Sequence, residues 1–179
     1  MARGAGVELH LGLFGDTQIA ARLLQTVGRI DDASEWFRMM SGWLEKELGK
    51  QFDTEGAHWG GRGWKSLADS TVAARVAGGY PGEHPILNVT GELRKSLTKG
   101  GGDAIRLVSR HQLVFGSTVD YGAAHQIGNE LGRPPKRQIL NLGKKETRQI
   151  ARSLGLFINR VSAPVEPGEF FSGTGGGGS

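Results

Sequence analysis

The sequence predicts an α+β domain in which a small twisted antiparallel β-sheet packs against one long amphipathic helix. Three observations favour this class. Short segments with alternating apolar residues indicate strands, one segment of about six turns has apolar residues at helical spacing, and strands and helices do not alternate strictly as in a parallel α/β fold. Glycine is unusually frequent, with 30 of 179 residues, and it falls in clusters. We therefore expect a few compact elements joined by long glycine-rich loops, with extended termini.

The first half of the chain contains the predicted long helix. Residues 7–14 alternate apolar and other side chains and are predicted as a strand, and residues 17–28 as a short helix capped by Asp16 and ended by Gly28. The long helix begins at Asp31 and has an apolar face made of Trp36, Met40, Trp43, Leu44, Leu48 and Phe52. This helix is expected to cover the sheet.

The second half is predicted to begin with a loop. Within residues 53–85 only the segment 67–77 has a helical pattern, and Trp59 and Trp64 are expected to pin the loop. The remaining predicted elements are a brief helix at 90–97, a β-hairpin at 103–117, a short helix at 120–128, a basic amphipathic helix at 140–155 and a last strand at 156–162. In the short helix, Tyr121 and His125 are expected to fix it onto the sheet and Gly128 to end it.

The length of the chain is suited to a single domain, which we place at residues 1–163, followed by a flexible or extended tail at 164–179 with the composition of a linker. The absence of cysteine excludes disulfides and thiolate metal sites. The N-terminal residues lack the apolar stretch of a signal peptide, and no run of eighteen apolar residues occurs, so no membrane association is expected.

No segment has a convincing catalytic, cofactor or metal pattern. In "GGRGWKS", Trp64 separates Gly63 from Lys65, which breaks the P-loop spacing. The five histidines do not stand at metal-ligand spacing, and no G-x-S-x-G sequence is present. An acid–base set of Asp120, Tyr121 and His125 lacks a second carboxylate nearby. We therefore expect no enzymatic activity, no cofactor and no metal site.

Charge is distributed unevenly along the chain. Residues 1–60 carry nine acids and six bases, whereas residues 133–152 carry seven bases and one acid. This basic segment has three open interpretations. It is a DNA-binding module, since neutralising phosphates supplies most nonspecific affinity, a solvated face of the protein, or an interface with an acidic surface, including that of another copy arranged head to tail. The candidate interface or DNA-facing residues are Arg133, Lys136, Arg137, Lys144, Lys145, Arg148 and Arg152.

Four segments, taken in order, resemble sequence elements of the phage virion morphogenesis family. They are "EGAHWGGRGWKSLADST", "PILNVTGELRKSL", "VFGSTVDYGAAHQIG" and "RPPKRQILNLGKKE". The positions that carry the resemblance are Trp64, Leu67, Thr71, Leu87, Thr90, Gly91, Leu93, Ser96, Gly116, Tyr121, His125, Gln126, Gly128, Arg137 and Leu140. The sequence departs from the family pattern at Gln138 and Ile139, where members tend to have an aromatic residue.

The resemblance implies a non-enzymatic structural protein of the virion. Members of the family look like tail-completion, tail-terminator or neck subunits at the head–tail junction of tailed phages, assembled in the host cytoplasm. It implies a homo-oligomeric ring, expected to be a hexamer, that contacts the head–tail connector and tail-tube proteins. Nonspecific contact with DNA in the channel of the ring is a further expectation.

Overall fold

The computed structural model describes residues 17–128, 131–132 and 134–159, with side chains described from residue 21 onward. The predicted strand at 7–14, the Asp16 cap, Arg133 and the tail lie outside this part. The described elements are α1 Thr17–Asp31, α2 Ser34–Asp53, α3 Asp69–Ala77, α4 Glu92–Thr98, β1 Ala104–Val108, β2 Leu113–Ser117, α5 Asp120–Ile127 and α6 Lys144–Asn159. These elements confirm the α+β class.

The long helix α2 is the centre of the fold, and two hydrophobic clusters lie along it. Its first half contributes Trp36, Met40, Trp43 and Leu44 to a cluster that Phe157 of α6 completes. Its second half contributes Leu48 and Phe52 to a cluster with residues from the 86–97 region and with Ile139. Because each buried side chain of this size stabilises the fold by about 1.5–3 kcal/mol, α2 provides much of the stability of both halves.

The strands β1 and β2 form an antiparallel hairpin in which Arg106 pairs with Phe115. The Arg106 guanidinium lies 3.6 Å from the centre of the Phe115 ring. Its Nε donates to Glu45 Oε1 of α2 at 2.9 Å, and Nη2 donates to the carbonyl of Ser96 in α4 at 2.9 Å. One arginine therefore links the sheet to both neighbouring helices.

Several predicted boundaries are wrong. The long helix α2 begins at Ser34 and not at Asp31, which belongs to α1, and α6 begins at Lys144 and not at residue 140. Helix α1 does not stop at Gly28 but continues to Asp31, and Asp32 N still donates to the carbonyl of Gly28. Residues 156–159 of the predicted last strand form the end of α6. Ser153 and Phe157 are the buried residues of α6, and this four-residue spacing requires a helix to keep Phe157 in the core. The rest of that predicted strand, residues 160–162, lies outside the described residues.

Within the described part of the chain, no helix is both long and apolar enough to cross a membrane.

Candidate functional site

Several of the family-like positions, Trp64, His125, Gln126, Arg137 and Leu140, meet at one segment, residues 136–140, which we call the strap. Gln126 of α5 holds the strap by both ends of its side-chain amide. Its Oε1 accepts from the backbone N–H groups of Ile139 at 2.8 Å and Leu140 at 3.0 Å, and its Nε2 donates to the carbonyl of Leu140 at 2.8 Å. The side-chain amide of glutamine has one acceptor and one donor end and can form all three hydrogen bonds, whereas an ionised glutamate can only accept.

Arg137 of the strap is buried, with 4% of its surface exposed. Its Nε donates to the carbonyl of Lys65 at 2.8 Å and its Nη2 to that of Ser66 at 2.9 Å, while its backbone N–H donates to the carbonyl of His125 at 2.7 Å. The guanidinium therefore ties the loop before α3 to the strap. The expectation that Arg137 is presented at the surface as a DNA-facing residue is wrong, because its donors are directed at carbonyls inside the fold.

Gln138, where the family tends to have an aromatic residue, contributes its backbone. Its carbonyl accepts from Trp64 Nε1 at 2.9 Å and from Gln51 Nε2 at 3.2 Å. The side chain of the next residue, Ile139, is buried in the second hydrophobic cluster. Trp64 pins the 53–68 loop in the way the sequence predicts, by joining it to the strap.

The "TGELRKS" element forms the start of α4. Gly91 precedes the helix with φ of +81°, a conformation in which glycine is favoured, and Leu93 inserts into the second cluster with 1% exposure. Ser96 is also buried, and its Oγ lies 2.7 Å from Ser117 Oγ at the end of β2. Leu87 is buried as well and adopts a φ of +58°.

Helix α5 contacts the core differently from the prediction. Tyr121 is exposed and makes an edge contact with the half-buried His125, with 6.4 Å between ring centres. The buried residue of α5 is Gly122, where an added Cβ would lie 2.9 Å from Leu93 Cδ1. Sequence reasoning missed Gly122; the available signal was a glycine inside a helical pattern. Gly128 ends the helix, as predicted, with φ of +75°.

The remaining family-like positions lie in the core, at the start of α4, in the hairpin or at the surface. Leu67 packs against the second cluster, Thr90 Oγ1 accepts from Glu92 N at 3.4 Å, and Gly116 lies in the hairpin opposite Ile105. Thr71 lies in the first turn of α3 and is exposed, and Leu140 is exposed although its backbone is held by Gln126.

His125 is half-buried beside Arg137. Burial lowers the pKa of His125 below its ordinary value and the positive charge of Arg137 lowers it further, whereas a hydrogen bond with the backbone of Pro135 opposes the shift, so the neutral ring predominates at pH 7. Its Nδ1 lies 3.4 Å from Arg137 Nη1. The described residues include no group of three side chains suited to holding a metal ion. The hydrogen bonds of this site therefore hold three segments of the chain together, namely the loop before α3, helix α5 and the strap.

A basic surface lies on α6. Lys144, Lys145, Arg148 and Arg152 are exposed and form no ion pair with any described residue, and Lys136 of the strap is also exposed. Lys145, Arg148 and Arg152 follow at three- and four-residue spacing and therefore share one face of the helix.

An apolar surface lies on α1 and is directed away from the fold. Leu24, Val27 and Ile30 are 73%, 60% and 57% exposed. The side of α1 that is more covered carries Thr26 and Arg29, whose guanidinium reaches the carbonyl of Ile158 in α6. Monomeric proteins ordinarily turn the apolar face of a surface helix inward, so this orientation is typical of a helix that meets a partner.

Comparison with known proteins gives two matches. The model of the phage virion morphogenesis family matches residues 16–156. The chain is 29% identical over 156 residues to Mu-like prophage FluMu G protein 1 of Haemophilus influenzae, a match that covers 86% of this chain and 99% of that protein. No solved structure matches.

Proposed function

The chain belongs to the phage virion morphogenesis family, and we propose that it is a structural subunit of the head–tail junction, acting in tail completion or as a neck or tail-terminator protein. In this proposal the subunit acts by protein contacts, without catalysis, in a closed homo-oligomeric ring, a hexamer. Its neighbours in the particle are the head–tail connector and the tail tube.

The observation that carries the proposal is the outward apolar face of α1, formed by Leu23, Leu24, Val27 and Ile30. Burying this face against a partner removes apolar surface from water. Each Å² buried stabilises the complex by about 25 cal/mol, which favours association. A second exposed apolar group, Ile127, Leu131 and Leu140, belongs to α5 and the segments that follow it. Two different apolar surfaces on one chain suit a head-to-tail contact, which generates a ring when the rotation closes.

The association can be tested with Leu24→Asp/Val27→Asp. These changes place two charges on the α1 face without altering the two core clusters. We expect the variant to remain folded, to lose the oligomer seen by light scattering at high concentration or on connector complexes, and to fail to restore joined particles to a phage that lacks this gene. Leu107→Asp is the matched control, since Leu107 is 65% exposed on β1. Full restoration by the α1 variant would contradict the proposal.

DNA contact is the second candidate function, and the exposed basic face of α6 favours it. Within a ring, this face would meet the phosphates of DNA in the channel. Arg148→Ala/Arg152→Ala should then weaken binding to duplex DNA. The slope of the logarithm of the binding constant against the logarithm of the salt concentration should fall by the amount expected for losing about two phosphate contacts. Arg62→Ala/Lys99→Ala removes two exposed charges elsewhere and is the control. Equal loss in both variants would show general electrostatic attraction, and no loss would reject the candidate.

A further inference from the structure

A cleft of about 710 Å³ lies between the start of α3 and the chain that leads into the strap. Its polar wall carries Lys65, Arg75, His125 and Arg137, and the hydroxyl of Ser70 lies at the same edge. No carboxylate is among the described residues that line it. The cleft is therefore a concave, positively charged space without a counter-charge from the described lining.

The positive charges are close enough to affect one another. Burial lowers the pKa of Arg137, and the neighbouring charge of Arg75 lowers it further. Arg75 is directed at backbone carbonyls, with Nη1 3.0 Å from that of Pro85, and Arg137 at those of Lys65 and Ser66. The hydrogen bonds of both guanidinium groups go to neutral carbonyls, which orient the groups without neutralising them. Arg75 also interacts with the carboxylate of Glu55, which lies outside the lining of the cleft. An anion in the cleft would relieve this repulsion.

The lining of the cleft also includes apolar side chains, those of Leu67, Leu87, Pro134 and Pro135. Arg137 is 4% exposed and its Nε and Nη2 already donate to backbone carbonyls, so it contributes positive charge to the cleft, whereas Lys65 is exposed and free to contact a ligand directly. The combination suits a carboxylate whose neighbours in sequence are apolar.

The chain itself contains such a peptide. Residues 163–171, "APVEPGEFF", have two glutamates, two phenylalanines, two prolines and no basic residue. Twenty residues follow Asn159, and an extended chain advances about 3.3–3.6 Å per residue, so Glu166 and Glu169 can lie roughly 25 and 35 Å from the end of α6. Trp36 of α2 contacts Ser153 of α6, whereas Gln51 contacts the strap. The 15 residues between Trp36 and Gln51 span about 22 Å of helix, and the six residues from Ser153 to Asn159 add about 9 Å, because the end of α6 runs towards Arg29 of α1. Within one chain Glu169 can therefore reach the strap, whereas Glu166 can reach it only from a neighbouring copy.

We propose that this cleft is a docking site for the segment 163–171, with the carboxylate of Glu166 or Glu169 placed among Lys65, Arg75 and Arg137. This inference adds a specific contact to the assembly role proposed above and rests on it where the segment comes from a neighbouring copy. The site itself can be tested on isolated protein, so a failed result here and a failed ring proposal remain distinguishable.

The absence of cysteine from the chain makes a direct crosslinking test possible. Ser70→Cys places a thiol at the cleft, and Gly168→Cys places one between the two glutamates, which both remain. Under mild oxidation the full-length double variant should form a disulfide, read by mass spectrometry as a link within one chain or between two. Leu107→Cys with Gly168→Cys is the control, since Leu107 is exposed on β1, away from the lining of the cleft.

The charge dependence identifies the interaction. Glu166→Gln/Glu169→Gln in the Ser70→Cys/Gly168→Cys background should reduce the rate of crosslinking about tenfold, as expected for losing a charge-assisted contact, and Lys65→Gln should reduce it in the same direction. Lys65 is exposed, so that variant keeps the fold. Equal crosslinking at Ser70 and Leu107, or a rate insensitive to the glutamine changes, would overturn the proposal. Competition by duplex DNA that Lys65→Gln abolishes would also overturn it, in favour of a nucleic-acid site.

Discussion

The side chain of Gln126 is hydrogen-bonded to both backbone polar groups of Leu140, accepting from its N–H at 3.0 Å and donating to its carbonyl at 2.8 Å. This contact attaches α5 to the strap. The side-chain amide of Gln126 forms the same pair of hydrogen bonds that the backbone of a neighbouring β-strand would form. Its partners lie fourteen residues away along the chain. The amide of Gln126 therefore fixes the end of the strap at Leu140, beside the contacts that Arg137 and Gln138 make earlier in the strap.

Removing the amide should destabilise the protein. In Gln126→Ala the N–H groups of Ile139 and Leu140 lose their acceptor. Leu140 is exposed and its N–H can turn to water, whereas an unsatisfied donor at the buried Ile139 costs about 1–3 kcal/mol. We expect the free energy of unfolding, measured by urea denaturation, to fall by about 2 kcal/mol. Gln112→Ala in the exposed hairpin turn is the control and should change it by less than about 0.5 kcal/mol. A similar small change in both variants would contradict the claim that the Gln126 amide stabilises the strap.

Glycine 122 should not tolerate a methyl group. An alanine Cβ there would come within 2.9 Å of Leu93 Cδ1, and Leu93 is too deeply buried to move freely. Gly122→Ala should lower the free energy of unfolding by about 1–3 kcal/mol through overpacking. Gly42→Ala, in a helix position with no atom within 4 Å of the new Cβ, should raise it by about 0.5–1 kcal/mol. The opposite signs of these two changes are the test; destabilisation by both would point to a general intolerance of substitution.

Arg137 should behave as a structural residue. Arg137→Lys keeps the positive charge but cannot donate to the carbonyls of both Lys65 and Ser66 with the fixed geometry of a guanidinium. We expect a loss of about 2–3 kcal/mol in thermal or urea unfolding. Lys136→Gln removes a charge at the neighbouring exposed position and should leave stability nearly unchanged. If Arg137→Lys were as stable as the parent chain, the contacts with the loop would contribute little.

The stability of the protein should fall on mild acidification because of His125. Its pKa is lowered by burial and by Arg137, so the unfolded chain takes up a proton at this histidine at higher pH than the folded chain does. Stability from His125 is fully present above the unfolded value of about 6.5 and decreases as the pH falls from there towards the lowered folded value. Urea midpoints measured between pH 7.5 and 5 should show a smaller slope in His125→Gln than in the parent chain. Identical slopes would show that His125 titrates alike in both states.

The sequence predicts the helices and the hairpin well where apolar spacing is dense, as in α2, whose buried residues recur every three or four positions. It misplaces the end of α6, because Leu156 and Ile158 suit a strand equally well until Phe157 is seen against α2. The burial of Arg137 could not be predicted from the local sequence pattern, because arginine is ordinarily exposed and the carbonyls that Arg137 binds lie some seventy residues earlier in the chain. Long-range backbone contacts of polar side chains leave no periodic signal.

The resemblance to a family helps where local pattern does not. Gln126, Trp64 and Arg137 are family-like positions, and all three bind backbone carbonyls or amides around the strap. Gln51 also donates to the strap, and Gly122 allows α5 to pack closely against Leu93, but neither residue was identified from the sequence.

Electron cryomicroscopy of intact particles of the parent phage, with this protein carrying an internal label in an exposed loop, tests the central claim most directly. We predict a closed ring of density at the junction of head and tail that fits this fold, with the α1 face of each subunit covered by its neighbour. Absence of the label from purified virions, or its presence only in the capsid shell, would contradict the account.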